Sequence, residues 1–237
     1  MCHHQDGRMK KYLLWFVVFA GSLAHGALTK RVFLFPDRYG ATFVSLSLNN
    51  NSQPFSDFTL CLEWYTPTVR EYSLLSMSSS NPRSGNAFSL SISSRDKLIV
   101  SIGREDHAFR IGAHNMDWVE ACVALDSENG LIQVWINNKA FPRHITSQTM
   151  SSNETYTLSL GHIKYRGVYW PYYYFEGEMS NVNMWNYVLP PEIMRWNPMQ
   201  RHGNLINWHN LDYELYGNAT IQPRLQCKEY PRPYYVC

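Results

Sequence analysis

Apolar and polar residues alternate with a period of two along several short segments of the chain. Val44, Leu46 and Leu48 alternate with Ser45 and Ser47; Phe58, Leu60, Leu62 and Trp64 with Thr59, Cys61 and Glu63; Phe88, Leu90 and Ile92 with Ser89, Ser91 and Ser93. Ile132, Val134 and Ile136 continue the pattern, as do Tyr156, Leu158 and Leu160. Successive side chains of a strand point to opposite faces, so each segment predicts a strand with one buried and one solvated face. Turn signals fall between them at Asn81-Pro82-Arg83-Ser84-Gly85, Glu128-Asn129-Gly130 and Asn137-Asn138. No strand-helix-strand alternation appears, and the spacing predicts an all-β, two-sheet antiparallel sandwich or jelly roll. One helix start stands out at Pro190-Pro191-Glu192, where proline fits the first turn and glutamate complements the helix dipole. It predicts one short helix over 191–196, ending near Trp196 ahead of Asn197-Pro198. No repeat, low-complexity tract or linker divides residues 27–226, which read as one domain followed by a tail over 227–237.

Composition narrows this picture. With 237 residues, 45% hydrophobic and 17% charged, the chain can build one sizeable core, and disorder, coiled coil and collagen are excluded. The 8 Trp, 16 Tyr and 11 Phe reinforce the β reading, because aromatic rings suit pleated, half-buried surfaces. The first 26 residues read as a signal peptide with a leader extension. Lys10 and Lys11 precede an apolar run from Tyr12 to Ala20 that is too short to span a bilayer, and Ala24 and Gly26 offer a cleavage site before Ala27. Residues 1–8, with Cys2, lie upstream of a second start at Met9. Removing Asp6, Arg8, Lys10 and Lys11 from 19 acidic and 21 basic residues leaves 18 of each. A neutral mature chain carries no electrostatic footprint for nucleic acid, and no transmembrane span is expected.

Secretion makes the cysteines informative, because an oxidising route lets thiols pair. Cys61, Cys122, Cys227 and Cys237 remain after cleavage. Sequons at Asn50, Asn153 and Asn218 mark the same route and predict solvent-facing positions for N-glycans. Cys61 and Cys122 each lie on a segment that reads as strand, which invites a disulfide.

Further along come Phe175-Glu176-Gly177-Glu178-Met179-Ser180-Asn181-Val182-Asn183-Met184-Trp185, then Val188-Leu189-Pro190-Pro191-Glu192-Ile193, then Asn204-Leu205-Ile206-Asn207-Trp208 and Leu211-Asp212-Tyr213-Glu214. Taken together with the cysteine spacing, these runs resemble the short pentraxins, the secreted family of C-reactive protein, serum amyloid P component and mucosal pentraxin. The resemblance covers residues 30–226 and implies a lectin-like jelly roll with one short helix on one face. It also implies a single Cys61–Cys122 bridge and a ring of five subunits. A laminin-G-like sandwich shares the architecture; the helix signal and the cysteine spacing favour the pentraxin. The family pattern His-x-Cys-x-Ser/Thr-Trp-x-Ser/Thr falls on Glu120 to Ser127, where only Cys122 and Ser127 fit. The chain therefore reads as a divergent member.

The resemblance implies a ligand face built on two adjacent calcium ions that bind phosphocholine, phosphoethanolamine or acidic sugars. The family's early Asp-Asn pair falls here on Gly85-Asn86, leaving Asn86 as a residual neutral ligand. Its acidic run falls on Gly161-His162-Ile163-Lys164-Tyr165-Arg166, and no carboxylate occurs between Glu154 and Glu176. Ligand oxygens have given way to an apolar side chain, a phenol and two cations, and the segment from Gly161 to Gly177 is about two residues shorter than the family's. Because one neutral asparagine cannot outweigh the two cations, calcium is expected to be absent or weak. In its place stand Tyr169, Trp170, Tyr172 and Tyr173 with Lys164 and Arg166. Rings and cations of this kind can recognise glycans, choline-type groups or phosphate. The same rings can instead fill space vacated by a longer calcium loop.

Other readings are thinner. Glu176 and Glu178 lie two apart on an expected strand, the one carboxylate pair that suggests a glycan hydrolase, without the tighter acidic run such enzymes carry. His107, His114, His162, His202 and His209 show no metal-ligand spacing and read as ordinary polar histidines. Cys227 and Cys237 can close a local loop or link subunits, the local bridge being preferred. The sequence points to a secreted, non-enzymatic, multivalent recognition protein, with a structural or scaffold member that binds no small ligand as the alternative.

Overall fold

The period-two segments fold as strands because each buries an apolar face against a second sheet. The computed structural model describes residues 30–36, 42–48, 55–79, 86–94, 96–113, 117–165, 168–169, 173–196 and 202–225. The expected leader 1–26, Asn50, His114, Arg166, Trp170, Tyr172, Cys227, Cys237 and the 227–237 tail lie outside the described residues. In chain order the strands are β1 (Arg31–Phe35), β2 (Phe43–Leu46), β3 (Phe58–Tyr65), β4 (Tyr72–Ser79), β5 (Asn86–Ser93), β6 (Lys97–Ile102), β7 (Glu105–Arg110), β8 (Val119–Asp126) and β9 (Leu131–Ile136). There follow β10 (Lys139–Ala140), β11 (His144–Ile145), β12 (Tyr156–Leu160), β13 (Lys164–Tyr165), β14 (Val168–Tyr169), β15 (Gly177–Trp185), β16 (Tyr213–Tyr216) and β17 (Thr220–Pro223). The helix α1 spans Pro191–Trp196, where the proline pair placed it.

Two antiparallel sheets result. The eight-stranded sheet has the order β10-β9-β8-β3-β15-β1-β17, with β11 also paired to β9; the seven-stranded sheet runs β16-β2-β12-β4-β5-β6-β7. Phe33, Leu60, Leu62 and Val134 from the first sheet meet Leu46, Leu75, Leu90, Val100 and Leu158 from the second, all essentially inaccessible. Each such side chain contributes about 1.5–3 kcal/mol on burial, so the alternating pattern is the main stabilising term. The hairpin between β9 and β10 turns at Asn137 and Asn138, both at positive φ, as an asparagine pair favours.

Some strands depart from the sequence pattern. β3, β8 and β9 are buried on both faces, not one. On the outer face of β3, Cys61 is bonded to Cys122, and this bridge packs with Trp135, Trp185, Leu189 and Met194 beneath α1. Further along that face, the Arg224 guanidinium lies 2.7 Å from a Glu63 carboxylate oxygen and 3.8 Å above the Trp118 ring. The helix and the chain leaving β17 thus cover what alternation alone assigns to solvent. β4 escapes the period-two reading because its register shifts between Ser73 and Leu75, so that Leu74 and Leu75 are both buried. A bulge inserts one residue and breaks the alternation.

The segment after β11 is tied to the edge strand β7 through one carboxylate. Glu105 accepts hydrogen bonds from the hydroxyl of Thr146 at 2.7 Å, the backbone N–H of Ser147 at 3.2 Å and the Ser147 hydroxyl. These donors, the Ser147 hydroxyl first and Thr146 next, hold the Glu105 carboxyl down at about 2. Its folded value lies below the unfolded one, so this stabilisation is present above the ordinary carboxylate range and is lost as pH falls toward 2. Thermal melts between pH 5 and pH 2 should fall more steeply for the native chain than for Glu105→Gln; parallel curves would remove Glu105 from this role.

Candidate functional site

The outer face of the seven-stranded sheet carries a row of hydroxyls that the register assembles. Ser45 pairs with Ser159, Ser159 with Ser76, Ser76 with Ser89 and Ser89 with Ser101. The row is closed at one end by Glu214 opposite Ser45 and at the other by Asp106 opposite Ser101. Neighbouring strands lie about 4.8 Å apart, so five hydroxyls line up across roughly 19 Å. Ser76 and Ser89 in the middle are buried, whereas Ser45, Ser159 and Ser101 are half-buried.

The segment that follows β12 lies over Ser76 in this row. Gly161 turns the chain at φ +80, and a Cβ there would come within 2.6 Å of the Phe35 ring. The chain then folds back over the sheet: the Ser76 hydroxyl donates to His162 O at 2.9 Å, and His162 itself is fully buried between the rings of Phe43 and Tyr174. Beyond it, β13 and β14 form a small hairpin in which Lys164 is paired with Tyr169 and Tyr165 with Val168. The loop returns at Tyr173, whose carbonyl accepts from Ser73 N at 2.8 Å, and closes where Phe175 N donates to Gly161 O at 3.0 Å. Gly161 N in turn donates to Leu74 O at 2.9 Å, so both ends of the loop are fixed at one glycine. Replacing Gly161 by alanine imposes a strained φ and a ring clash, and should cost about 2 kcal/mol or more in urea unfolding. An unchanged midpoint would show that the loop is not seated there.

The aromatic run divides. Phe175 is buried edge-on against Phe35 and Tyr72, and Tyr174 is buried beside His162, so these two rings fill interior space. Tyr173 is half-buried, and burial, followed by the nearby Glu71 carboxylate, pushes its phenol up. Lys164 and Tyr169 share the hairpin, on the side of the loop away from its closed base. Asn86 opens β5, where its Oδ1 accepts from the Ser78 hydroxyl at 3.1 Å. Neither the serine row nor the inward turn of His162 is evident from the sequence alone. The serines were visible as the polar half of the alternation, but only strand register shows that they form one line.

Among the described residues this face offers fewer oxygens than a double calcium site needs, since each ion takes six to eight. Asn86 offers one amide oxygen already engaged by Ser78, and the loop positions hold a buried imidazole at His162 and a cation at Lys164. Glu214 and Asp106 stand at opposite ends of the row, with five strands between theirs. Among the described residues the donor set does not fit two calcium ions. The carboxylates considered for catalysis also separate: β15 begins at Gly177, so Glu176 precedes the strand and only Glu178 lies on it, opposite Tyr65. The sequon residues Asn153 and Asn218 are exposed, and both lie outside the strands.

The model of the pentaxin family matches residues 31–223. C-reactive protein of Xenopus laevis is 35% identical over 231 residues, covering 95% of this chain and 97% of its own. Serum amyloid P-component of Mus musculus is 28% identical over 238 residues, covering 92% and 99%. Among solved structures, the native heptameric SAP-like pentraxin from Limulus polyphemus superposes with a TM-score of 0.68 at 15% identity, over 84% of this chain and 97% of that one.

Proposed function

Because the chain belongs to the pentaxin, or pentraxin, family, we propose that it is a secreted, ring-forming recognition protein that engages its ligand with little or no calcium. The family's C-reactive protein and serum amyloid P component are recognition proteins, and the chain is not an enzyme. Family members bind calcium and form oligomers. The proposed ligand surface is the outer face of the seven-stranded sheet with the loop that follows Gly161, and the ligands are glycans, phosphate-bearing groups or choline-type cations. The observation that carries this reading is the loop itself, closed at Gly161, folded onto Ser76 and lacking any carboxylate.

Charge favours the calcium-free reading. At about 4 Å and an effective dielectric near 20, one lysine opposes each unit of positive charge by roughly 4 kcal/mol, and a divalent ion doubles that. One neutral amide does not outweigh this term. A ring of subunits would then supply avidity, since linked weak sites raise apparent affinity without new contacts. Secretion is supported by the leader and by the family; no helix among the described residues is long and apolar enough to cross a membrane. Oxidising export also suits the Cys61–Cys122 bridge and N-glycans at Asn50, Asn153 and Asn218.

Glycan-array binding of the purified chain, with and without chelator, tests this. Binding unaffected by chelator is expected, and binding lost in chelator would overturn it. Sedimentation of the same sample should give a ring, against a monomer at micromolar concentration. The inward packing of Tyr174, Phe175 and His162 favours a second reading, a scaffold pentraxin with no small ligand, which predicts no binding under either condition.

A further inference from the structure

A separate groove lies at the far end of β2, away from the loop after β12. It encloses about 590 Å³ and is lined by Ser47 and Leu48 on one side and by residues 203–207 and 210–212 on the other. We propose that this groove is a second binding site, for a neutral saccharide of one to three rings.

Its chemistry is that of a sugar subsite. Leu48 and Leu211 pack against the main core and present partly buried apolar surface, a floor for the C–H face of a pyranose. Around it stand a hydroxyl at Ser47, amides at Asn207 and Asn210 and a carboxylate at Asp212. Ser47, Asn210 and Asp212 are exposed, and inside the groove wall they use backbone groups: Ser47 N donates to Asp212 O at 3.0 Å and Asn210 N to Asn207 O at 3.0 Å. Amide and carboxylate side chains suit vicinal hydroxyls, because each sugar hydroxyl donates once and accepts twice. A volume of this size is within the range of small-ligand sites.

The wall is held before any ligand arrives. Met184 on β15 exchanges backbone hydrogen bonds with Leu205 and Ile206, Asn183 Oδ1 accepts from Gly203 N at 3.4 Å and Trp208 N at 3.1 Å, and Trp185 Nε1 donates to His202 O at 3.1 Å. A braced wall lowers the ordering cost of binding. Selectivity follows from charge: among the lining residues only Asp212 is charged, so the groove disfavours anionic sugars, the class that the cations Lys164 and Arg166 would attract. The two sites are therefore separable by ligand.

Saturation-transfer NMR on the full chain, in chelator, with methyl α-mannoside, methyl β-galactoside and methyl β-glucoside as probes, tests the proposal. At least one probe should receive saturation, and both Asp212→Ala and Asn210→Ala should weaken it at least tenfold while leaving the melting temperature unchanged. Lys164→Ala should leave it intact, and N-acetylneuraminic acid should not compete. No transfer to any of the three probes, transfer that survives both groove variants, or loss in Lys164→Ala instead would overturn the proposal.

Discussion

Serine at Cys61 or Cys122 will lower the unfolding free energy by about 4 kcal/mol and remove most folded protein from the culture medium. The bridge spans a sequence separation of 61 residues, and chain-entropy reasoning assigns a loop of that length roughly this stabilisation. A domain's whole net stability is only about 5–15 kcal/mol, so the loss is a large share of it. The bridge is also a packing element, because both sulfurs lie beneath α1 among Trp135, Trp185 and Met194. The double variant Cys61→Ala/Cys122→Ala separates the two contributions, since it removes the cross-link without leaving a lone thiol or a buried hydroxyl. A chemical-denaturation midpoint that moves by less than the equivalent of 1 kcal/mol in either variant would show that the loop is constrained by something else.

Arg224→Ala should cost about 3–5 kcal/mol, for a different reason. Glu63 and Arg224 are both nearly inaccessible, with side chains 6% and 8% exposed, and deleting one partner leaves a buried charge uncompensated. Among the described residues the carboxylate would retain Asn181 Nδ2 at 2.8 Å and the Ser180 hydroxyl at 3.3 Å. Arg224→Lys restores the charge but not the planar stack on Trp118, so it should recover part of the loss. If the cost is electrostatic, Glu63→Gln combined with Arg224→Met will be more stable than Arg224→Ala alone, and urea unfolding of the three variants reads the difference. Equal stability of the double variant and Arg224→Ala would instead point to lost packing. Arg224 follows directly on β17, and its backbone N–H also holds Lys30 O at 2.9 Å, so the same residue fixes where the chain leaves the sandwich.

β2, β3, β5, β9 and β12 could be located from alternation, and the helix at Pro191 and the turn at Asn137-Asn138 from their residues, whereas β6 also buries one face and is not singled out by it. What could not be read follows from tertiary contacts. Thr59, Cys61 and Glu63 are the polar half of a clean alternation, yet they are buried because α1 and Arg224 come from more than 120 residues away to cover them. β4 hides because a single bulge puts Leu74 and Leu75 in the interior together. At the candidate site, the missing carboxylates were evident from residue identity, but the fate of the replacements was not. A histidine in the position of a metal ligand gives no indication in sequence that it will turn inward between Phe43 and Tyr174, because that depends on the return of the loop at Tyr173 and Phe175. The groove beside Ser47 was equally invisible, since its two walls are brought together by the pairing of β16 with β2, which Ser47 N and Asp212 O extend.

A thermal melt of chelator-stripped protein against added millimolar calcium bears most directly on the proposed exchange of an oxygen-rich cradle for a folded-in loop. A ligand bound only by the native state raises stability by RT ln(1 + [L]/Kd), about 2.7 kcal/mol at a hundredfold excess over Kd. The melting temperature should be the same with calcium and with chelator. A saturable rise of several degrees on adding calcium would contradict the proposal.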